Sequence, residues 1–169
     1  DFQFAFHFRS EPTGTDYQFC GSYLGPWGGR MAGVAETVTV KRVGWSERVG
    51  AHLASIRDWP PNLSLPWFEH EIECERIIAL GLFAGEGHVA TAFYQVDDAG
   101  VVPEFVIYGA AGRLKGADLV ATVYPVLEGI ARDLYCASMR FETARRGLGR
   151  KMVKLGFRPE GMVMRKVLS

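Results

Sequence analysis

The sequence has few cysteines, no long apolar run and no net charge. Its three cysteines are far apart and form no CxxC pair, so neither a disulfide framework nor a structural zinc site is indicated. The 19 lysines and arginines are balanced by 19 aspartates and glutamates. Uncharged apolar runs, such as residues 77–84, are shorter than the ~18 residues that a membrane-spanning helix needs. These absences favour a protein with no membrane span in a reducing, cytoplasmic setting.

The 169 residues are enough to bury a core without disulfides or structural metal sites. Because 48% of them are hydrophobic, a disordered or collagen-like chain is excluded. Residues 31–169 are interpreted as one domain. Residues 1–30 are interpreted as an N-terminal extension, in which phenylalanines at every second position from Phe2 to Phe8 predict a strand, followed by a Gly-rich loop.

The origin of this extension is open. The codons for Trp27 to Met31 can contain GGAGG shortly before ATG, as a translated bacterial ribosome-binding site does. A native start at Met31 is therefore a hypothesis, under which residues 1–30 are not part of the native product and are poorly ordered. N-terminal sequencing of the protein made from its own gene tests it, because any residue found upstream of Met31 contradicts it.

Hydrophobic periodicity after residue 36 predicts an alternation of strands and helices. Strands are predicted at 37–43, 77–83, 88–96, 101–108, 138–142 and 162–168. Helices are predicted to begin near Ser46, Pro66, Leu119 and Leu148, the last closed by Gly156. Residues 109–116 are predicted to form a small-residue loop, and Pro125 is expected to kink or weaken the third helix.

Positive charge is concentrated near the end of the chain. From Arg140 to Ser169 there are nine basic and two acidic residues, a local balance of +7, so the other 139 residues sum to −7. Such a segment predicts either a local anion site or a solvated helix face.

The element order, the glycine-bearing loop after strand 101–108, and a last helix ending in Lys154-Leu155-Gly156-Phe157 together resemble the GNAT N-acetyltransferase superfamily. The resemblance covers nearly all of residues 36–169 and is strongest over 138–168. It implies a three-layer α/β fold, with a mixed, mainly antiparallel sheet and helices on both faces.

The resemblance also implies acetyl-CoA, or another acyl-CoA, as co-substrate. In that family, backbone N–H groups of the loop before the third helix hold the pyrophosphate. The residues implied in cofactor binding are Ile107, Gly112, Arg113, Leu114, Lys115, Gly116, Ala117 and Arg145. When the family signature is aligned so that its helix begins at Leu119, only Gly116 matches it. An alignment that uses Arg113 instead places the carboxylate of Asp118 where it would repel phosphate.

Direct acyl transfer to an amine needs a base for the ammonium proton and an acid for the leaving thiolate. The family's usual tyrosine acid is replaced by Met152, which cannot donate a proton. Element positions instead suggest Tyr108, Tyr124 and Glu142 as catalytic residues, although an aromatic residue at a strand end is often part of the core.

Two functions remain open. The first is an N-acyltransferase that moves an acyl group from acyl-CoA to an amine by direct attack in a ternary complex. The second is a degenerate protein of the same fold, acting as a phage-type assembly, DNA-modification or binding protein, with a nucleic acid or an acidic protein as partner of the basic C-terminal segment. His70 and Cys74 have metal-ligand spacing, but a solvated acidic helix is the favoured interpretation and no metal is predicted.

Overall fold

The computed structural model describes residues 16–19, 38–56, 63–143 and 145–160. In chain order the elements are β1 Asp16–Phe19, β2 Val38–Val43, α1 Glu47–Ala54, α2 Leu65–Glu73, β3 Ile78–Ala84, β4 Gly87–Asp97, β5 Glu104–Gly112, α3 Leu119–Asp133, β6 Ser138–Phe141 and α4 Arg146–Lys154. The six strands form one sheet in sequence order. Neighbours from β1 to β5 are antiparallel, whereas β5 and β6 are parallel because α3 forms the crossover between them.

Side-chain caps define where three of the helices begin. The Ser46 hydroxyl accepts the N–H of Val49, and the Ser64 hydroxyl accepts the N–H of Trp67 in the same way. Asp118 caps α3 through the N–H of Val120. These contacts satisfy backbone donors that a helix leaves unpaired in its first turn, so the starts predicted near Ser46, Pro66 and Leu119 are confirmed.

The sheet separates two apolar clusters. On one face, α1 and α2 pack against β3 and β4 around the buried residues Val49, Leu53, Phe68, Ile72, Ile77, Ala79 and Phe93. On the other face, α3 packs against β2 to β5. This cluster includes Leu127 of α3, Leu80 of β3 and Phe105 of β5. None of the described helices is long and apolar enough to cross a membrane.

Two predictions about strands need correction. The strand predicted at 101–108 begins at Glu104 and continues to Gly112, so Gly109–Gly112 are strand and not loop. Residues 16–19, predicted as part of a loop, pair with β2 as an edge strand. The small residues of 109–112 are poor strand formers, but pairing with β4 overrides that local preference. The strands predicted at 2–8 and 162–168, and the helix stop at 58–62, lie outside the described residues.

The predicted helix at Leu119 is uninterrupted. Pro125 lies inside α3, which continues from Leu119 to Asp133. A proline at this depth removes one intrahelical hydrogen bond, so tertiary packing of the α3 stripe maintains the helix across it.

Candidate active site

The sheet opens where β5 and β6 part. Their parallel pairing ends at Ile107 opposite Phe141, yet β5 continues to Gly112. Within the described residues, the β5 edge from Tyr108 to Gly112 therefore has no strand partner on the β6 side. An open strand edge of this kind offers backbone donors and acceptors to a ligand.

A β-bulge lies at the start of this open edge. Phe93 of β4 is opposite Gly109 of β5, whereas the next β4 residue, Tyr94, is opposite Ile107, so Tyr108 is the extra residue. A bulge bends its strand and redirects a side chain, and bulges are frequent beside active sites. Tyr108, predicted to lie at the strand end, is thus in the middle of β5 at its irregular point.

The Tyr108 side chain lies on the α2 side of the sheet. Its hydroxyl donates to Oε1 of Gln95 at 2.8 Å, and its ring meets those of Phe68 and Trp67 edge to face, with centroids 5.5 and 6.0 Å apart. Burial is the largest of the effects that raise the pKa of this phenol above its ordinary value of 10.0. Tyr108 is therefore a protonated donor at neutral pH.

Gly112 is the last residue of the open edge, and no larger residue fits at this position. Its φ is +129°, and a Cβ at this position would collide with the carbonyl oxygen of Val89 and the Cα of Ala90. The next residue, Arg113, donates its backbone N–H to Val89 at 2.9 Å. This close approach of β4 and β5 fixes the point at which the loop leaves the sheet.

Three amides of the loop before α3 have no acceptor among the described residues. The N–H groups of Leu114, Lys115 and Gly116 donate to no atom of the described residues, whereas Ala117 donates weakly to the carbonyl of Leu114 at 3.5 Å. Gly116 has φ +76°, and successive amides around a left-handed residue can form a concave anion site. The loop can thus hold a phosphate, and the side chains of Arg113 and Lys115 are exposed beside it.

The first turn of α3 itself is occupied. The carboxylate of Asp118 accepts the N–H of Val120 at 3.0 Å and receives Nζ of Lys151, from α4, at 2.5 Å. The hydrogen bond from Lys151 is the largest of the effects that lower the pKa of this carboxyl. An anion at this loop would lie beside the Asp118–Lys151 ion pair, in which the positive charge of Lys151 offsets the negative charge of the carboxylate.

The other predicted residues are spread around this opening. Ile107 is a buried core residue on the α3 face, while Arg145 is an exposed N-cap of α4 that makes no side-chain cap. Tyr124 is on α3 and donates to the carbonyl of Leu155 at 3.4 Å, which links α3 to α4. Glu142 is exposed after β6.

Of the three predicted catalytic side chains, Tyr108 and Glu142 share a neighbourhood. Glu142 is close enough to contribute to the raised pKa of Tyr108, and its carboxylate lies 3.9 Å from Arg140, which also binds Glu104 at 2.7 Å. Tyr124 packs with Phe157 on the α3 side of the sheet, away from the Tyr108 side chain.

A buried polar chain was missed by the sequence analysis. The hydroxyl of Thr91, which is fully buried on β4, lies 2.8 Å from Nδ1 of His52 on α1 and 2.9 Å from Nε2 of His88 on β4. We call these three residues the His-Thr-His chain. Burial is the main cause of the lowered pKa of both imidazoles.

The position of His88 depends on a second bulge. Leu82 is opposite Ala90, but Phe83 is opposite His88, so Val89 is the extra residue and His88 lies on the same face as Thr91. For His52, a signal was available, because it falls on the same helical stripe as Val49 and Leu53. A histidine on such a stripe marks a polar contact in the core.

No metal centre is evident in the described part of the chain, where no group of three or more His, Cys, Asp or Glu residues is arranged to hold an ion. Sγ of Cys74 lies 3.8 Å from the ring nitrogens of His70, and both residues are exposed.

The fold is identified by similarity to solved structures and not by sequence matches. No protein-family model matches the chain, and no curated protein matches it in sequence. Among solved structures it is similar to the ribosomal-protein-alanine N-acetyltransferase of Brucella melitensis biovar Abortus 2308, with a TM-score of 0.61 and 12% identity over 78% of this chain and 99% of that one. It is also similar to glucosamine-6-phosphate N-acetyltransferase from Arabidopsis thaliana, with a TM-score of 0.59 and 14% identity over 79% and 100% of the two chains.

A third similar structure is that of AAC(6')-Iy in complex with the bisubstrate analogue CoA-S-monomethyl-acetylneamine. Its TM-score is 0.55, with 12% identity over 78% of this chain and 98% of that chain. The identities agree with the prediction of a divergent sequence. The three-layer α/β arrangement, with a mixed, mainly antiparallel sheet between helices, is confirmed. The chain has the fold of the GNAT N-acetyltransferases.

Proposed function

We propose that this protein transfers an acyl group from acyl-CoA to an amine. The observation that carries the proposal is the β5 edge that is open within the described residues. It runs from the bulge at Tyr108 to a loop with three amides that have no acceptor in the same part of the chain. The bulge at Tyr108 suits a reacting acyl group, and the loop at the other end of the edge suits phosphates. The solved structures similar in fold include N-acetyltransferases, one of them with a CoA-containing analogue bound.

In this proposal the loop residues 113–117 hold the pyrophosphate. The amides of Leu114, Lys115 and Gly116 supply directed donors, and the exposed cations of Arg113 and Lys115 supply charge. The amides of an acyl-CoA's extended pantetheine arm would pair with the open edge, as an added strand does.

The reaction then takes place at the bulge. The amine, once it has lost a proton, attacks the thioester carbonyl, so that a C–N bond forms, the C–S bond breaks and the thiolate takes up a proton. Direct attack needs no covalent enzyme intermediate. Tyr108 is the proposed proton donor because its phenol stays protonated at neutral pH, and Glu142 is the proposed acceptor for the ammonium proton.

The test is calorimetric titration of the full chain with acetyl-CoA, using two variants that act in opposite directions. Gly116→Asp should abolish binding, because it forces a side chain into a left-handed position and adds a carboxylate beside the phosphates. Asp118→Asn keeps a good N-cap residue but removes the charge and frees Lys151, so binding should become about two- to fivefold tighter.

Asp133→Asn, at the far end of α3, is the matched control and should leave binding unchanged. An affinity that neither Gly116→Asp nor Asp118→Asn alters would place the cofactor elsewhere, and no binding by any variant would refute the proposal.

The occupied start of α3 favours a second candidate, a protein of this fold that no longer uses acyl-CoA. In the alignment that uses Arg113, the family's signature has a small residue at the position of Asp118. Here that position carries a carboxylate, and its charge is neutralised by Lys151. This candidate predicts that Asp118→Asn binds acetyl-CoA while the wild-type chain does not.

A further inference from the structure

The cations of the described chain differ in whether they have an acidic partner. Of the eight described lysines and arginines before residue 143, four are paired with carboxylates: Arg42 with Glu75, Arg76 with Glu71, Arg132 with Glu128, and Arg140 with Glu104. From Arg145 to Glu160 only Lys151 is paired, through its contact with Asp118. Within the described residues, the other cations of this segment have no carboxylate within salt-bridge distance, so its positive field is not cancelled locally.

Three of these unpaired cations form a line on α4. Arg146, Arg150 and Lys154 are four residues apart, so they follow one side of the helix with about 6 Å between successive positions. Met152, the buried residue of α4, is on the opposite side, and Lys151 is the cation that faces α3. We call Arg146, Arg150 and Lys154 the outward stripe.

Two glycines beside the stripe point to a close approach by a ligand. Gly147 lies in the first turn of α4 and Gly149 within the helix, where glycine costs up to about 1 kcal/mol relative to alanine. A Cβ built at either position would meet no atom of the described residues within 4 Å, so packing against this part of the chain does not require glycine there. Glycine on an exposed helix allows another backbone to come close to the helix itself.

We propose that the outward stripe of α4 binds the phosphate backbone of a nucleic acid, with Gly147 and Gly149 allowing the backbone to approach the helix. The step of about 6 Å between the cations is of the same order as the distance between neighbouring phosphates along a nucleic-acid strand. Arg146 and Arg150 can each bind a phosphate through two N–H groups. The regular spacing favours a repeating phosphate chain over an acidic protein, whose carboxylates have no fixed spacing.

This site is separate from the acyl-CoA site. Lys151 and the loop 113–117 lie on the α3 side of α4, whereas the stripe is opposite Met152. The two proposals can therefore fail independently.

The test measures binding of the full chain to a fluorescent 20-base-pair DNA duplex, and to the RNA duplex of the same sequence, across a range of salt concentrations. If three phosphates are neutralised, affinity for DNA should fall on the order of 40-fold between 50 and 200 mM salt. Changing all three stripe residues to Gln should remove most of the affinity and nearly all of that salt dependence. The matched control changes Arg42, Arg48 and Arg132 to Gln, which alters net charge equally on other surfaces.

Gly147→Ala and Gly149→Ala together give a second measurement that folding defects cannot mimic. They should raise the thermal stability of the free chain while weakening duplex binding at least threefold. The proposal is overturned if the stripe and control variants lose affinity equally, if the alanine pair binds as well as the wild type, or if polyglutamate is bound in place of both duplexes. Preference for DNA or for RNA tells which nucleic acid is the partner.

Discussion

The two faces of the sheet are built from alternate residues of the same strands, yet they differ in chemistry. The buried cluster on the α3 face is apolar apart from the phenol of Tyr94. The α1/α2 face has a comparable apolar cluster, but it also contains Thr91, the one polar residue that is buried among the described residues. Apolar burial stabilises both faces, and on the α1/α2 face the His-Thr-His chain adds hydrogen bonds whose loss or protonation has a cost.

The largest expected effect is the same on both faces. Phe93 on the α1/α2 face and Phe105 on the α3 face are each fully buried. Changing either one to Ala should lower the free energy of unfolding by about 3–5 kcal/mol, because each substitution removes a large apolar side chain and leaves a cavity. Urea denaturation measures this. A loss below about 1 kcal/mol for one of the two would show that its face does not contribute a packed core.

The second effect distinguishes the faces. Thr91→Val keeps the shape of the side chain but leaves His52 and His88 without their shared hydrogen-bond partner, so we expect a loss of about 1–3 kcal/mol in the free energy of unfolding. Thr91→Ser should recover much of it, since the hydroxyl is retained.

Thr122→Val is the control for that measurement, because the Thr122 hydroxyl bonds only to a backbone carbonyl near the surface of α3. It should change stability by no more than about 0.5 kcal/mol. Equal losses at Thr91 and Thr122 would refute a special role for the His-Thr-His chain.

The smallest effect concerns pH. The pKa of both His52 and His88 is lowered from 6.5, first by burial and then, in His52, by the neighbouring His88 and Arg48. Below about pH 6.5 the unfolded chain therefore binds more protons than the folded one. Stability should be full above this pH and should decline as the pH falls toward the folded-state pKa values.

Denaturation of the wild type and of the double variant His52→Gln, His88→Gln at about pH 7.5 and about pH 5.5 measures this dependence. The decline should be reduced in the double variant and unchanged in Phe105→Ala, since Phe105 belongs to the other face. His70→Gln is the exposed control. A decline that is identical in the double variant would assign the effect to other groups.

Most of the fold could be predicted from the sequence because its signals are local. Ser46 and Pro66 mark helix starts, and apolar residues at helical and strand spacing give the order of the elements. The exceptions arise where tertiary contacts override local preference. Gly109–Gly112 look like a loop by composition, yet they are strand because β4 lies alongside them.

The candidate site was less predictable for the same reason. The loop 113–117 and Tyr108 were accessible through resemblance and element position. The pairing of Asp118 with Lys151 joins residues 33 positions apart, and no periodicity indicates it. His88 shares a face with Thr91 because of one bulge, and Tyr108 is itself the extra residue of another; a bulge leaves no residue pattern that distinguishes it from regular strand.

The bulge at Val89 gives the His-Thr-His chain a tolerance for a change in strand length. Thr91 and His88 are three residues apart, and they share a face because Val89 is extra. Deleting the Val89 codon would leave them two residues apart, and residues two apart also lie on one face of a regular strand. One codon can therefore be lost or gained at this point of the gene while the polar contact is kept.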